Sequence, residues 1–176
     1  MNATTVRRTA TGIHLSRSLA ATPHTLFRAL SEPEQLLQWW GPPDCRVVEC
    51  SVDFRVGGVW HYRLASRDGT PHWSRAVYQQ IEPDRSIRYT ETGSDSAGRV
   101  VHDRPAVSGT ITLTPTPAPV STFDHVLAGP STRLDVALVF LSALERDAAI
   151  GNGVVAGFSG ALDQLDDLVH AVAATP

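Results

Sequence analysis

The sequence predicts an α+β fold, an antiparallel sheet with one long helix laid across a face, and three observations predict it. Apolar and polar residues alternate, with the period of a half-buried strand, in segment after segment between Cys45 and Leu141. Segments that follow one another without crossover helices pair antiparallel. Two compact helix starts come directly after the first strand, and a single amphipathic helix closes the chain.

In chain order, residues 1–10 are polar and aperiodic and read as a flexible arm. "GIHLSRSLAA" places Ile13, Leu15, Arg17 and Leu19 on one face of the first strand. In "TPHTLFRALSEPEQLLQWWGPP" one helix starts at Thr22 with Pro23 in its first turn. A second starts at Ser31 or Glu32 before Pro33 and is ended by Gly41, Pro42 and Pro43. Trp39 and Trp40 are neighbours on that helix, so only one is expected to face inward. "CRVVECSVDF" is the next strand. Its Cys45 and Cys50 are expected on opposite faces roughly 17 Å apart, too far to bridge.

Asp68-Gly69, between two alternating segments, predicts a two-residue hairpin loop. A turn centred on Asp84 leads to "RSIRYTET", residues 93–105 read as loop, and "AVSGTITLTP" alternates again with Gly109 as an expected bulge. The proline-rich stretch at about 114–131 reads as a long surface loop, either disordered or a lid. "TRLDVALVFLS" is the last strand. One helix then runs from Glu145 to Val169, packing Leu162, Leu165 and Val169 on the sheet and turning Asp163, Asp166 and Asp167 mainly to solvent.

A two-residue loop sets a register: Leu64 opposes Trp73, Tyr62 opposes Arg75 and Trp60 opposes Val77. Carried through the Asp84 turn, Gln79 opposes Tyr89 and Val77 opposes Glu91. Arg75, Gln79, Tyr89 and Glu91 are then expected on the inward face beside Trp60, Tyr62 and Trp73, with Arg75 in reach of Glu91. His61, Arg63, His72, Ser74 and Tyr78 would look outward. A few polar groups among aromatics suit a small-molecule site. The arginine could hold a carboxylate or enolate oxygen, and a desolvated Glu91 could move a proton. The residues equally allow a satisfied structural ion pair and a solid aromatic core.

At 176 residues the chain is expected to form one domain with a sizeable core, and 42% hydrophobic against 19% charged residues excludes a disordered chain. The basic residues are all arginine, so lysine Schiff-base chemistry and a P-loop lysine are excluded. A net charge of −3 with scattered arginines predicts no nucleic-acid partner. No apolar run reaches a membrane span and no secretory signal is visible, which predicts a cytoplasmic protein. The seven histidines lack metal-ligand spacing. "GNGVVAG" does not follow a strand in a βαβ unit, and "GFSGA" lacks nucleophile-elbow spacing. No metal or organic cofactor is expected.

"ATPHTLFRALSEPEQLLQWWGP", "DFRVGGVWHYRL", the "DGT" hairpin, "IEPDRSIRYTE" and "FLSALERDA" followed by "GVVAGFSGALDQL" together resemble the family of the activator of heat-shock protein 90 ATPase. The likeness is to its bacterial single-domain form, within the START and birch-pollen-allergen superfamily. It covers about residues 13–169, and Ala76 departs from the family's usual glycine. The resemblance implies a helix-grip fold in residues 11–172: a curved antiparallel sheet of about six to seven strands wrapped around a long C-terminal helix, with two short helices after the first strand. It also implies a cavity between sheet and helix that takes a hydrophobic, ring-containing small molecule, and a homodimer is compatible with it. The expected ligand-binding residues are Trp40, Trp60, Tyr62, Trp73, Gln79, Phe158 and Leu162. If the scaffold is instead a cofactor-independent cyclase, dehydratase or lyase, Glu91, Arg75 and Tyr89 are the candidate catalytic groups. A third reading is a chaperone-associated or regulatory interaction module. Gly151, Gly153, Gly157 and Gly160 would each weaken a helix by about 1 kcal/mol relative to alanine. Open volume beside Trp60 and Tyr62, gated by Phe158, is the expected reason for Gly153 and Gly157.

Overall fold

Strand alternation and helix caps set the local structure, and the computed structural model describes residues 3–66, 69–102, 104–117 and 129–173. β1 (Thr5–Arg8) precedes β2 (Gly12–Leu19), where Ile13, Leu15, Arg17 and Leu19 are all buried. α1 (Pro23–Ala29) is capped by Thr22, whose hydroxyl accepts from the Thr25 N–H at 3.1 Å. α2 (Pro33–Trp39) is capped by Glu32 without a side-chain bond. Then follow β3 (Cys45–Val52), β4 (Val59–Ser66), β5 (Pro71–Glu82), β6 (Ser86–Ser94), β7 (Val100–Val101), β8 (Val107–Thr116), β9 (Ser131–Val139), α3 (Ala143–Gly151) and α4 (Val154–Ala173).

The strands form one antiparallel sheet in the order β1-β2-β9-β8-β6-β5-β4-β3, with β7 added beside β6. The seven longer strands are the expected ones. β1 and β7 are additional: residues expected in the arm pair with β2, and a piece of the 93–105 loop pairs with Gly93 and Ser94. β1 is exposed throughout, and its Arg7 and Arg8 charge an edge that would otherwise invite pairing with another chain. Of the proline-rich stretch, residues 118–128 lie outside the described residues, while its flanks continue β8 and begin β9. No helix among the described residues is long and apolar enough to cross a membrane.

Four local expectations are corrected. The final helix is two helices, because Gly153 stands at φ +85° and its N–H donates to the Ile150 carbonyl. This left-handed glycine just past a helix end is a common stop. Trp39 and Trp40 are both buried: α2 ends at Trp39, and Trp40 (φ −71°, ψ 132°) has already left helical geometry. Trp39 anchors the helix through its Nε1–H, which donates to the Ala29 carbonyl at 2.9 Å. A bulge in β3 between Val47 and Glu49 puts Cys45, paired with Ser66, on the same face as Cys50, paired with Tyr62. The two do not form a disulfide. Gly109 is no bulge but a regular ladder residue opposite Tyr89, whose ring occupies the place of its side chain; a Cβ there would come within 2.3 Å of Tyr89 Cζ.

The core lies between the concave sheet face and α4. Leu162, Leu165 and Val169 are buried at helical spacing, each removing an apolar side chain from water for about 2 kcal/mol. Asp166, expected mainly toward solvent, is buried with them. It accepts from Arg17 Nη2 at 3.0 Å, and Asp163, one turn earlier, pairs with Arg17 Nη1. An arginine on the inner face of β2 thus holds the last helix to the sheet.

Candidate functional site

The register decides which side chains meet. Between β4 and β5 the pairs are Leu64 with His72, Arg63 with Trp73, Tyr62 with Ser74, His61 with Arg75 and Trp60 with Ala76. This is one residue off the expected register. Gly69, at φ +80°, donates its N–H to the Ser66 carbonyl, and with Ala65 opposite Pro71 an odd number of residues, 66–70, separates the last paired positions, where the expected register needs an even number. Arg67 and Asp68 of the expected turn lie outside the described residues. A one-residue slip exchanges the faces of a whole strand.

Trp73, Arg75 and Gln79 therefore lie away from the concave face. Trp73 stacks on His61 with ring centroids 4.7 Å apart and carries the Arg63 guanidinium at 5.8 Å. Gln79 is the extra residue of a bulge between Tyr78 and Gln80, and donates to Thr90 Oγ1 at 2.8 Å. Ser74 and Tyr78, expected outside, are buried inside. On the turn side of this bulge Ile81 pairs with Ile87, and beyond it Tyr89 lies opposite Tyr78 rather than Gln79, and Glu91 opposite Ala76 rather than Val77.

On the concave side a cavity of about 350 Å³ opens between the sheet and the α3–α4 corner. Its apolar wall includes Trp40, Leu64, Leu138, Phe140 and Phe158. Trp40 is the hub of that wall, edge-on to Phe158 at 5.6 Å, to Trp60 at 4.7 Å and to Tyr62 at 6.2 Å. On the helix side Ala148, Ala149, Gly153 and Gly157 face the space with little or no side chain. Gly153 has nothing within 4 Å of where its side chain would stand, whereas at Gly157 a Cβ would lie 3.3 Å from Pro42 Cγ, and Trp60, expected beside the open volume, does not line it. Gly160 has another reason: Pro43 packs where its side chain would be, so that a Cβ would lie 2.3 Å from Pro43 Cγ.

One side of the cavity is polar. Tyr62 Oη donates to Glu91 Oε1 at 3.1 Å, and Arg104 Nη2 lies 3.4 Å from the same oxygen. Arg104 Nη2 also reaches Ser74 Oγ at 2.6 Å and the Thr92 carbonyl at 3.3 Å. The Glu91 side chain is 14% exposed and that of Arg104 40%. Burial raises the Glu91 carboxyl above the usual carboxylate range, while Arg104 and the hydrogen bond from Tyr62 pull it back. Burial, then the neighbouring Glu91 charge, raises the Tyr62 phenol, so it stays protonated and serves as a donor.

Of the expected residues, Trp40, Tyr62, Glu91 and Phe158 meet at the cavity. Trp60, Tyr89 and Leu162 are buried in the layer behind it. The Tyr89 hydroxyl, like Tyr78 Oη and Trp60 Nε1, has no hydrogen-bond partner among the described residues. Arg104 and Ser74 were missed. Ser74 follows from the corrected register, whereas Arg104 sits in a loop where no periodicity points to it. Leu138 and Phe140 were legible in the alternation of β9. Among the described residues no three His, Cys, Asp or Glu side chains gather as a metal site.

A family model described as Activator of Hsp90 ATPase homolog 1-like protein matches residues 20–170, and the chain belongs to that family. Among solved structures, protein Ms6760 from Mycobacterium smegmatis is similar with a TM-score of 0.77 at 23% identity, over 94% of this chain and 96% of that one. Protein NE0264 from Nitrosomonas europaea reaches 0.77 at 22% identity, over 96% and 100%. Protein CV1439 from Chromobacterium violaceum reaches 0.67 at 27% identity, over 92% and 98%. The first two likenesses establish the helix-grip fold. No curated protein matches the sequence.

Proposed function

We propose that this protein binds a hydrophobic, ring-containing small molecule in the cavity between the sheet and the α3–α4 corner. The observation that carries this reading is the about 350 Å³ space walled by Trp40, Phe140 and Phe158 and bordered by residues almost without side chains. Ligand pockets span roughly 300–1,000 Å³ with apolar walls and few polar groups. A two- or three-ring molecule suits that size. The fold belongs to a family architecture that commonly takes hydrophobic ligands. Native mass spectrometry of freshly purified protein should show a retained small molecule. Ala149→Trp, which fills the cavity from α3, should remove it while leaving the melting temperature within a few degrees. Retention undiminished in a folded Ala149→Trp protein would sink the proposal.

A second reading is favoured by the Tyr62–Glu91 contact. In a cofactor-independent cyclase, dehydratase or lyase, a carboxyl held above its usual range at the edge of an apolar-walled cavity is placed to accept and return a proton. Arg104, not Arg75, is then the arginine at hand. Glu91→Gln separates the two readings, because an enzyme loses its turnover while still binding, whereas a carrier has no turnover to lose and changes only in affinity.

A further inference from the structure

Within the binding reading just proposed, on which this step rests, we infer that the cavity selects a ring system bearing a neutral hydroxyl, a phenol or alcohol, over the corresponding carboxylate or ammonium compound. The polar side of the cavity is a closed charge pair. Glu91 Oε1 takes the Tyr62 hydroxyl and lies beside Arg104, whose Nη2 is also engaged by Ser74 Oγ and the Thr92 carbonyl. The neighbours of Glu91 across the strands are Ala76 and Val107, so no other side-chain charge meets it along the sheet.

A carboxylate entering the cavity would face Glu91 from the sheet, and Glu145 of α3, whose carboxylate accepts from the Leu141 N–H at 3.0 Å, adds a second negative charge to the lining. To be neutralised it would have to draw Arg104 away and leave Glu91 buried without its counter-charge, a costly arrangement. An ammonium group would meet the Arg104 guanidinium and compete with it for the same carboxylate. A hydroxyl leaves the pair intact. It donates to the Glu91 carboxylate and accepts from a guanidinium N–H, while its ring lies against Trp40 and Phe158. A hydrogen bond to a charged group in such a place strengthens binding about tenfold or more.

Three probes of one skeleton test this: naphthalene, 2-naphthol and 2-naphthoate, titrated at pH 7 against the full chain and followed by tryptophan fluorescence and calorimetry. The wild type should bind 2-naphthol about tenfold more tightly than naphthalene, and 2-naphthoate more weakly than either. Glu91→Leu should bring 2-naphthol down to naphthalene without weakening naphthalene, and Glu91→Gln should narrow the gap by at least about threefold. Naphthalene binding with 2-naphthol no tighter, or a preference that survives both folded variants, overturns this inference alone. Failure of all three probes to bind the wild type overturns the cavity reading and this one with it. The wild-type ranking decides the matter even where a variant does not fold.

Discussion

From Gly160 to Val169 the last helix is pressed onto the molecule: Leu162, Leu165 and Val169 are buried, Asp166 is locked to Arg17, and Pro43 takes the place of a side chain at Gly160. From Ala143 to Phe158 the opposite holds. α3 has no buried residue, Gly153 breaks the helix at φ +85°, and Ala148, Ala149 and Gly153 border open space. Both stretches carry glycine, Gly160 in the first and Gly151, Gly153 and Gly157 in the second. Gly160 serves close approach and Gly153 emptiness, and the partner across the gap, a proline ring or a cavity, makes the difference. Buried contacts are thereby concentrated in the C-terminal turns, while the α3–α4 corner keeps the cavity open beside it.

The largest expected effect breaks the anchored end. Arg17→Met leaves Asp166 buried without its counter-charge and should lower unfolding stability by about 3–5 kcal/mol. Urea denaturation measures this. The double variant Arg17→Met with Asp166→Leu should recover most of it, and a double variant no better than the single one would show that the pair is not what holds the helix.

Two glycine substitutions sharpen the contrast at an intermediate size. Gly160→Ala drives a methyl into Pro43 and should cost about 1–3 kcal/mol. Gly151→Ala, with nothing within 4 Å, should stabilise by up to about 1 kcal/mol through helix propensity. Equal effects of the two in thermal melts would erase the distinction between the two ends.

The smallest effect concerns the polar side of the cavity. The Glu91 carboxyl is raised above 4.5 by burial, so the native state holds its proton more tightly than the unfolded chain. Its contribution to stability is full below that unfolded value and is lost as pH rises through the raised one. Glu91→Gln should therefore melt near the wild type at about pH 4 and progressively above it toward pH 8. A difference that does not grow with pH would show the ionised carboxyl to be fully compensated by Arg104 and Tyr62.

Much of this architecture was legible in the order of residues. Thr22-Pro23 and Glu32-Pro33 announce the two short helices, and period-two alternation marks seven strands, because caps and pleats are decided within a few residues. Glu91, Tyr62, Trp40 and Phe158 were recognisable as cavity candidates for the same reason, since each lies in a segment whose local pattern or family resemblance is clear. Arg75, Trp73 and Gln79 were misplaced by a single connection. One residue more in the β4–β5 turn, and one bulge at Gln79, exchange which face each side chain takes. The pairing of Glu91 with Arg104, and of Arg17 with Asp166, spans 13 and 149 residues respectively. Sequence periodicity therefore determined the elements and the outline of the sheet. Only the tertiary structure decided register, the helix break and the charge partners, because these depend on contacts between segments that carry no mark of each other.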